Sequence, residues 1–140
     1  MKKATSWDEF IGGNLLSYGV VSGAILISQL GKPIYAYGEL DHLQQGDLMQ
    51  FKGLFRGFSE ENEGAVYQQD FKIRGKSGQR VTYKAYRRSY CSIYATSNGT
   101  MDGLIVCNLP YGILICTYKQ PIQPGEAIKR IEKFCDIMRA

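Results

Sequence analysis

The side chains that most often carry chemistry are few in this sequence. His42 is its single histidine, so zinc sites or catalytic dyads built on two imidazoles are excluded, and a Cys/His nucleophile pair would have to use His42 itself. A lone histidine in a polar stretch reads more simply as a solvated residue. The four cysteines, at 91, 107, 116 and 135, include no CxxC pair, and three of them lie in strongly apolar runs. They read as reduced, small core residues of a cytosolic protein. A phosphate-binding loop needs glycines after a strand and a Lys-Ser/Thr that opens a helix; Gly75-Lys76-Ser77 is the nearest string and lacks both the upstream glycine and the helix. No HExxH, EF-hand loop or GxSxG occurs, and the carboxylates fall in loops or on helix surfaces. An enzyme is the weaker class, and no catalytic residue, metal or cofactor is assigned.

The remaining candidates are binding residues. Between residues 71 and 101 stand Lys72, Arg74, Lys76, Arg80, Lys84, Arg87 and Arg88 with no acid, while the preceding stretch from 39 to 70 is net acidic. A basic surface facing an acidic partner is the functional reading, and a solvated strand face is the plain one. Tyr83, Tyr86, Tyr90 and Tyr94 interleave with these cations, which allows base stacking and phosphate neutralisation. Tyrosine is also a favoured strand residue, and neighbours such as Tyr83 and Lys84 point to opposite faces, so part of this set belongs to the core. At the other end, Trp7 and Phe10 stand three apart at the start of a helix, off the Ile11/Leu15 line. They serve either helix packing or a groove that docks a polyproline II ligand, whose preformed backbone loses little entropy on binding.

The elements that must position these residues can be read from patterning. With 140 residues, 44% hydrophobic and 21% charged, the chain matches one globular domain that buries a real core. The longest uncharged apolar stretch, Leu109 to Tyr118, is too short for a membrane-spanning helix and contains Pro110 and Gly112; Asp8 and Glu9 fall where a secretory signal would need its apolar segment. Ser6-Trp7-Asp8-Glu9 forms a capping box for a first helix that carries Ile11, Leu15 and Tyr18 and ends at Gly19. Residues 24–28 and 34–37 read as a hairpin around Gln29-Leu30-Gly31-Lys32, and a second helix is expected from Gln45 to Phe55, followed by an exposed acidic loop at 59–64. Strands are expected at 71–74, 80–87, 90–96, 104–107 and 113–118. After Pro124 and Gly125, the stripe Ala127, Ile128, Ile131, Phe134, Cys135 and Met138 defines a last helix. The result is an α+β sandwich.

These residues together resemble the profilin family. The order of the Ser6-Trp7-Asp8-Glu9-Phe10-Ile11 helix, the Gly23-Ala24-Ile25-Leu26-Ile27 strand, the Gly31 turn and Tyr35-Ala36 is similar to the N-terminal half of profilins. Leu104–Cys107, Gly112-Ile113-Leu114-Ile115-Cys116-Thr117-Tyr118 and Pro121-Ile122-Gln123-Pro124-Gly125-Glu126 are similar to the C-terminal half. The resemblance implies a single domain over 1–140, with 1–5 as a flexible extension. It also implies a central antiparallel sheet with the N- and C-terminal helices on one face and smaller helix and loop elements on the other.

Its functional implication is a non-enzymatic, cytoplasmic, cytoskeletal protein that binds monomeric actin, regulates its polymerisation, and holds proline-rich proteins such as formins. The implied polyproline-binding residues are Trp7, Phe10, Tyr35, Ile137 and Met138. Phe10 stands where the family usually has Tyr, Tyr35 where it usually has Trp, and the chain stops at Ala140, before the usual C-terminal residues. Phe10 has no hydroxyl to donate to a ligand carbonyl, so weakened polyproline binding is expected. The implied actin-binding residues are Tyr83, Lys84, Tyr86, Arg87, Ile122, Gly125 and Lys129; between Tyr90 and Asn98 there is no basic residue where many profilins have one. The basic block allows contact with anionic phosphoinositide headgroups. The rival readings are a profilin-shaped interaction scaffold without actin affinity and a basic nucleic-acid-binding module, and nucleic acid is not the expected partner.

Overall fold

A computed structural model describes residues 7–55, 69–89, 91–97 and 102–139. The Ser6 cap, the 1–5 extension and the acidic loop at 59–64 lie outside the described residues. Among the described residues seven antiparallel strands form one sheet: β1 (Gly23–Ile27), β2 (Pro33–Gly38), β3 (Asp70–Arg74), β4 (Arg80–Arg88), β5 (Ser92–Ser97), β6 (Gly103–Leu109) and β7 (Gly112–Tyr118), in the order β2-β1-β7-β6-β5-β4-β3. The β1–β2 hairpin forms as the alternation predicts, with Ala24 opposite Tyr37 and Leu26 opposite Tyr35.

The central strands are buried along their whole length, so they read as continuous apolar runs, and their alternation sorts side chains between two cores. Ala24 and Leu26, Ile105 and Cys107, Leu114 and Cys116 face one side. The helices α1 (Trp7–Asn14) and α3 (Pro124–Arg139) cover that side with Ile11, Ala127, Ile131, Phe134, Cys135 and Met138. Ile25, Ile27, Leu104, Val106, Ile113 and Ile115 face the other side, under Leu48, Phe51 and Phe55. This is the expected α+β arrangement, and each face is covered because both carry apolar residues.

Two helices are shorter than their patterns suggest. The first is α-helical only to Asn14 and continues as a 3₁₀ turn over Leu16–Tyr18, which Gly19 closes in a left-handed conformation at φ 70°. The expected helix from Gln45 to Phe55 is a single turn, α2 (Gln45–Leu48), followed by a 3₁₀ turn over Met49–Phe51. Gly53, at φ 68°, turns the chain so that Phe55 can reach the sheet. The apolar spacing was correct, but burial of Leu48, Phe51 and Phe55 does not require a continuous helix.

This segment also covers the edge strand β3. The Gln50 amide donates to the Lys72 carbonyl at 2.8 Å and accepts from the Lys72 N–H at 3.1 Å, which satisfies backbone groups that an edge strand leaves open. His42, expected in solvent, is half-buried, and its Nε2 contacts the Arg74 carbonyl. Arg74 donates to Asp47 at 2.9 Å and holds its carboxyl below the usual carboxylate range. A carboxyl depressed in the folded state stabilises above its unfolded pKa, and that contribution disappears as pH falls through the folded value. The expected result is that Arg74→Gln destabilises the protein at pH 7 and that the difference from wild type shrinks as pH falls below the ordinary aspartate value of about 3.9. Denaturant midpoints measured between about pH 7 and about pH 2 check this, and a constant difference would show that the pair is not the source.

Candidate functional site

Two exposed regions gather most of the candidate residues. The first is an open groove of about 210 Å³ lined by Trp7, Phe10, Tyr111 and Met138. The first turn of α1 supplies Trp7 and Phe10, whose rings meet edge to face at 6.3 Å. Phe134 of α3 lies 5.7 Å beneath Phe10 and fixes its height above the sheet. Met138, one helical turn beyond Phe134, forms the α3 wall.

Tyr111 was not a candidate in the sequence. It sits in the turn between β6 and β7, is 58% exposed, and meets Trp7 edge to face at 6.3 Å. The turn depends on Gly112, where a Cβ would lie 2.0 Å from the Ile27 carbonyl oxygen. Only glycine lets this turn press against β1 and leave the preceding tyrosine projecting outward. The Pro110-Tyr111-Gly112 string signals a turn, but its position beside α1 comes from the tertiary fold.

Tyr35 and Ile137, the other two expected polyproline residues, do not line this groove. Tyr35 packs against the same core beside α1, where burial and the nearby Asp8 carboxylate raise its phenol pKa. Ile137 lies about 100° around α3 from Met138 and is 48% exposed.

The second region lies on the same sheet face, where strand β4 passes beyond α3. Lys84, Tyr86 and Arg87 are exposed there, and a bulge between Ala85 and Arg87 is what brings them together. In an unbroken strand Arg87 would share a face with Tyr83; the extra residue places it opposite Tyr94 instead. Tyr86 packs on Tyr94 at 6.4 Å, and the Tyr94 hydroxyl donates to Glu132 of α3. These contacts connect the strand surface to the helix.

Tyr83 is a correction to the expected surface set. It is 4% exposed and belongs to the opposite core, with Phe71 and Ile93. Burial pushes its phenol pKa well above the ordinary tyrosine value. The strand alternation that separates Tyr83 from Lys84 is the reason.

The basic block is also divided. Arg74 pairs with Asp47 and Lys76 with Asp41, while Arg88 donates to the Leu54 carbonyl and covers the Phe55 ring on the far face. Lys72, Arg80, Lys84 and Arg87 remain exposed. The block is therefore not one continuous phosphate-binding strip.

At the start of α3, Gly125 and Lys129 are exposed and Ile122 is half-buried against the α1/α3 core. Arg130 stacks over Tyr18 at 3.6 Å. Tyr18, Val20, Glu126, Lys129 and Arg130 surround a hollow of about 280 Å³. The arrangement offers charged and aromatic contact surfaces on a rigid sheet.

A seven-stranded antiparallel sheet with both terminal helices on one face and an aromatic groove between them defines a class of small binding proteins. The profilin family model matches residues 5–140, and the chain belongs to the profilin family. It is 27% identical over 135 residues to Profilin-A of Physarum polycephalum, covering 96% of each chain. Among solved structures it is similar to profilin IB of Acanthamoeba castellanii, with 26% identity, TM-score 0.72, and 94% and 95% of the two chains covered. It is also similar in fold to LokiProfilin1, solved in complex with rabbit actin, with 16% identity, TM-score 0.70, and 93% and 91% covered.

Proposed function

We propose that this profilin binds monomeric actin and regulates its polymerisation. The contact surface comprises Lys84, Tyr86 and Arg87 of β4 together with Ile122, Gly125 and Lys129 at the start of α3. Family membership over 5–140 carries this reading, and LokiProfilin1, of the same fold, is a protein solved with actin. The β4 bulge supports it independently, since it exposes a tyrosine and two cations on the face that α3 borders. Tyr and Arg are enriched at the energetic centres of interfaces. The function is binding rather than catalysis, in the cytoplasm and cytoskeleton.

A second surface, the groove of Trp7, Phe10, Tyr111 and Met138, takes proline-rich segments such as those of formins. Its flat aromatic walls suit a polyproline II helix. Phe10 supplies no hydroxyl donor there, so the affinity is low. The exposed cations Lys72, Arg80, Lys84 and Arg87 offer a site for anionic phosphoinositide headgroups, in competition with actin where Lys84 and Arg87 are shared.

Reversing the charge at Lys129 tests the actin surface. Lys129→Glu is expected to weaken actin binding about tenfold and to leave proline-peptide affinity unchanged. Calorimetric titration of each ligand measures both. An unaltered actin dissociation constant would move the contact away from α3.

A further inference from the structure

Beneath α3 lies a cluster that neither proposed surface uses. Cys107 of β6 and Cys135 of α3 are fully buried, and the half-buried Glu132 stands one helical turn before Cys135. One sulfur from each cysteine and one Glu132 oxygen all lie within 4.8 Å of one another. We propose that Cys107, Glu132 and Cys135 hold a divalent cation of the zinc class, with water as the fourth ligand.

The donor set supports this assignment. Thiolates select soft or borderline metals, and zinc accepts sulfur and carboxylate together. Zinc–sulfur bonds of about 2.3 Å in a tetrahedron place two sulfurs about 3.8 Å apart, so the two sulfurs need to close by about 1 Å at most. Glu132 and Cys135 are spaced i, i+3 and therefore share the sheet-facing side of α3, where Cys107 meets them from below.

The surroundings match what metal ligands require. The Tyr94 hydroxyl donates to Glu132, and the Ser92 hydroxyl lies 3.7 Å from the Cys107 sulfur. Such outer hydrogen bonds orient ligands and tune their basicity. Two thiolates and a carboxylate around a dication leave one negative charge, and the Arg139 guanidinium, 3.9 Å from Glu132, offsets it. Arg139 is itself tied to the Asn108 carbonyl at 3.0 Å. Metal binding releases the two thiol protons to solvent. The Glu132 side chain, 26% exposed, provides the path inward.

The Glu132 carboxylate, partly exposed and held by the Tyr94 hydroxyl, lies within 4.8 Å of both sulfurs. Cys116 provides the contrast. It is equally buried on β7 and belongs to no such three-residue group among the described residues.

Cobalt(II) titration of the full chain, kept reduced with a phosphine, tests the site. The expected result is a one-to-one complex with a thiolate-to-cobalt charge-transfer band and visible bands of a tetrahedral ion, displaced by equimolar Zn²⁺. Cys107→Ser and Cys135→Ser are expected to abolish the charge-transfer spectrum of the paired thiolates. Glu132→Gln, which leaves both sulfurs in the core, weakens cobalt binding at least tenfold, and Tyr94→Phe weakens it about tenfold. Cys116→Ser leaves it unchanged. Circular dichroism verifies that each variant is folded. Absence of a charge-transfer band from the wild-type protein would overturn the site, as would equal affinity in folded Glu132→Gln.

Discussion

Phe134→Ala is expected to destabilise the protein by about 3–5 kcal/mol, the range for truncating a buried phenylalanine. Phe134 is 1% exposed and sits in the core that joins α3 to the sheet. Removing its ring takes apolar surface out of contact and opens a cavity whose walls, strands β6 and β7, are fixed by a continuous hydrogen-bonded ladder. The floor beneath Phe10 is lost as well, since the two rings meet at 5.7 Å. The same substitution should therefore loosen the groove. Urea unfolding of the variant beside Lys133→Ala, an exposed neighbour on the same helix, measures the difference. The lysine variant should stay within about 0.5 kcal/mol of wild type. A loss below about 1 kcal/mol for Phe134→Ala would mean that α3 is not held by this contact.

Trp7→Ala has its largest effect on binding. Trp7 is half-buried, and its indole faces both Phe10 and Tyr111 across the groove. Large aromatic anchors of this kind typically contribute 2 kcal/mol or more, so affinity for a proline-rich peptide should fall roughly thirtyfold. Actin affinity should not change, because Trp7 lies on the groove and the proposed actin surface runs along β4 and the start of α3. Tyr111→Ala should fall by a similar factor, whereas Ile137→Ala, outside the groove lining, should have little effect. Fluorescence titration with an oligoproline peptide distinguishes these variants. If Trp7→Ala binds as wild type does, the groove is not the proline site.

The pattern of apolar residues made most of the architecture legible. The β1–β2 hairpin, the five later strands and the stripe on α3 follow from alternation and 3.6-residue spacing, which record burial directly. The end of the second helix was not legible, because Leu48, Phe51 and Phe55 reach the sheet through one helical turn, a 3₁₀ turn and the bend at Gly53. The same apolar spacing fits either path.

Sites were less legible than strands, for a geometric reason. Tyr83 and Tyr86 differ by three positions in one strand, and alternation alone separates their faces. The bulge that returns Arg87 to the face of Lys84 leaves no mark in residue type. Tyr111 enters the groove because Gly112 lets a distant turn approach β1 closely, and its contact with Trp7 spans most of the chain. Pairings of this kind belong to the tertiary fold. His42 shows the reverse case: a polar neighbourhood in sequence indicated solvent, yet the imidazole is half-buried against β3.

The central claim is that this profilin binds monomeric actin through the surface of β4 and the start of α3. Calorimetric titration of purified monomeric actin into the wild-type protein, followed in the same cell by a proline-rich peptide, tests it most directly. The account predicts one-to-one actin binding, and weaker peptide binding that leaves the actin complex intact because the two surfaces are separate. Absence of actin binding by a folded protein that still binds the peptide would contradict it.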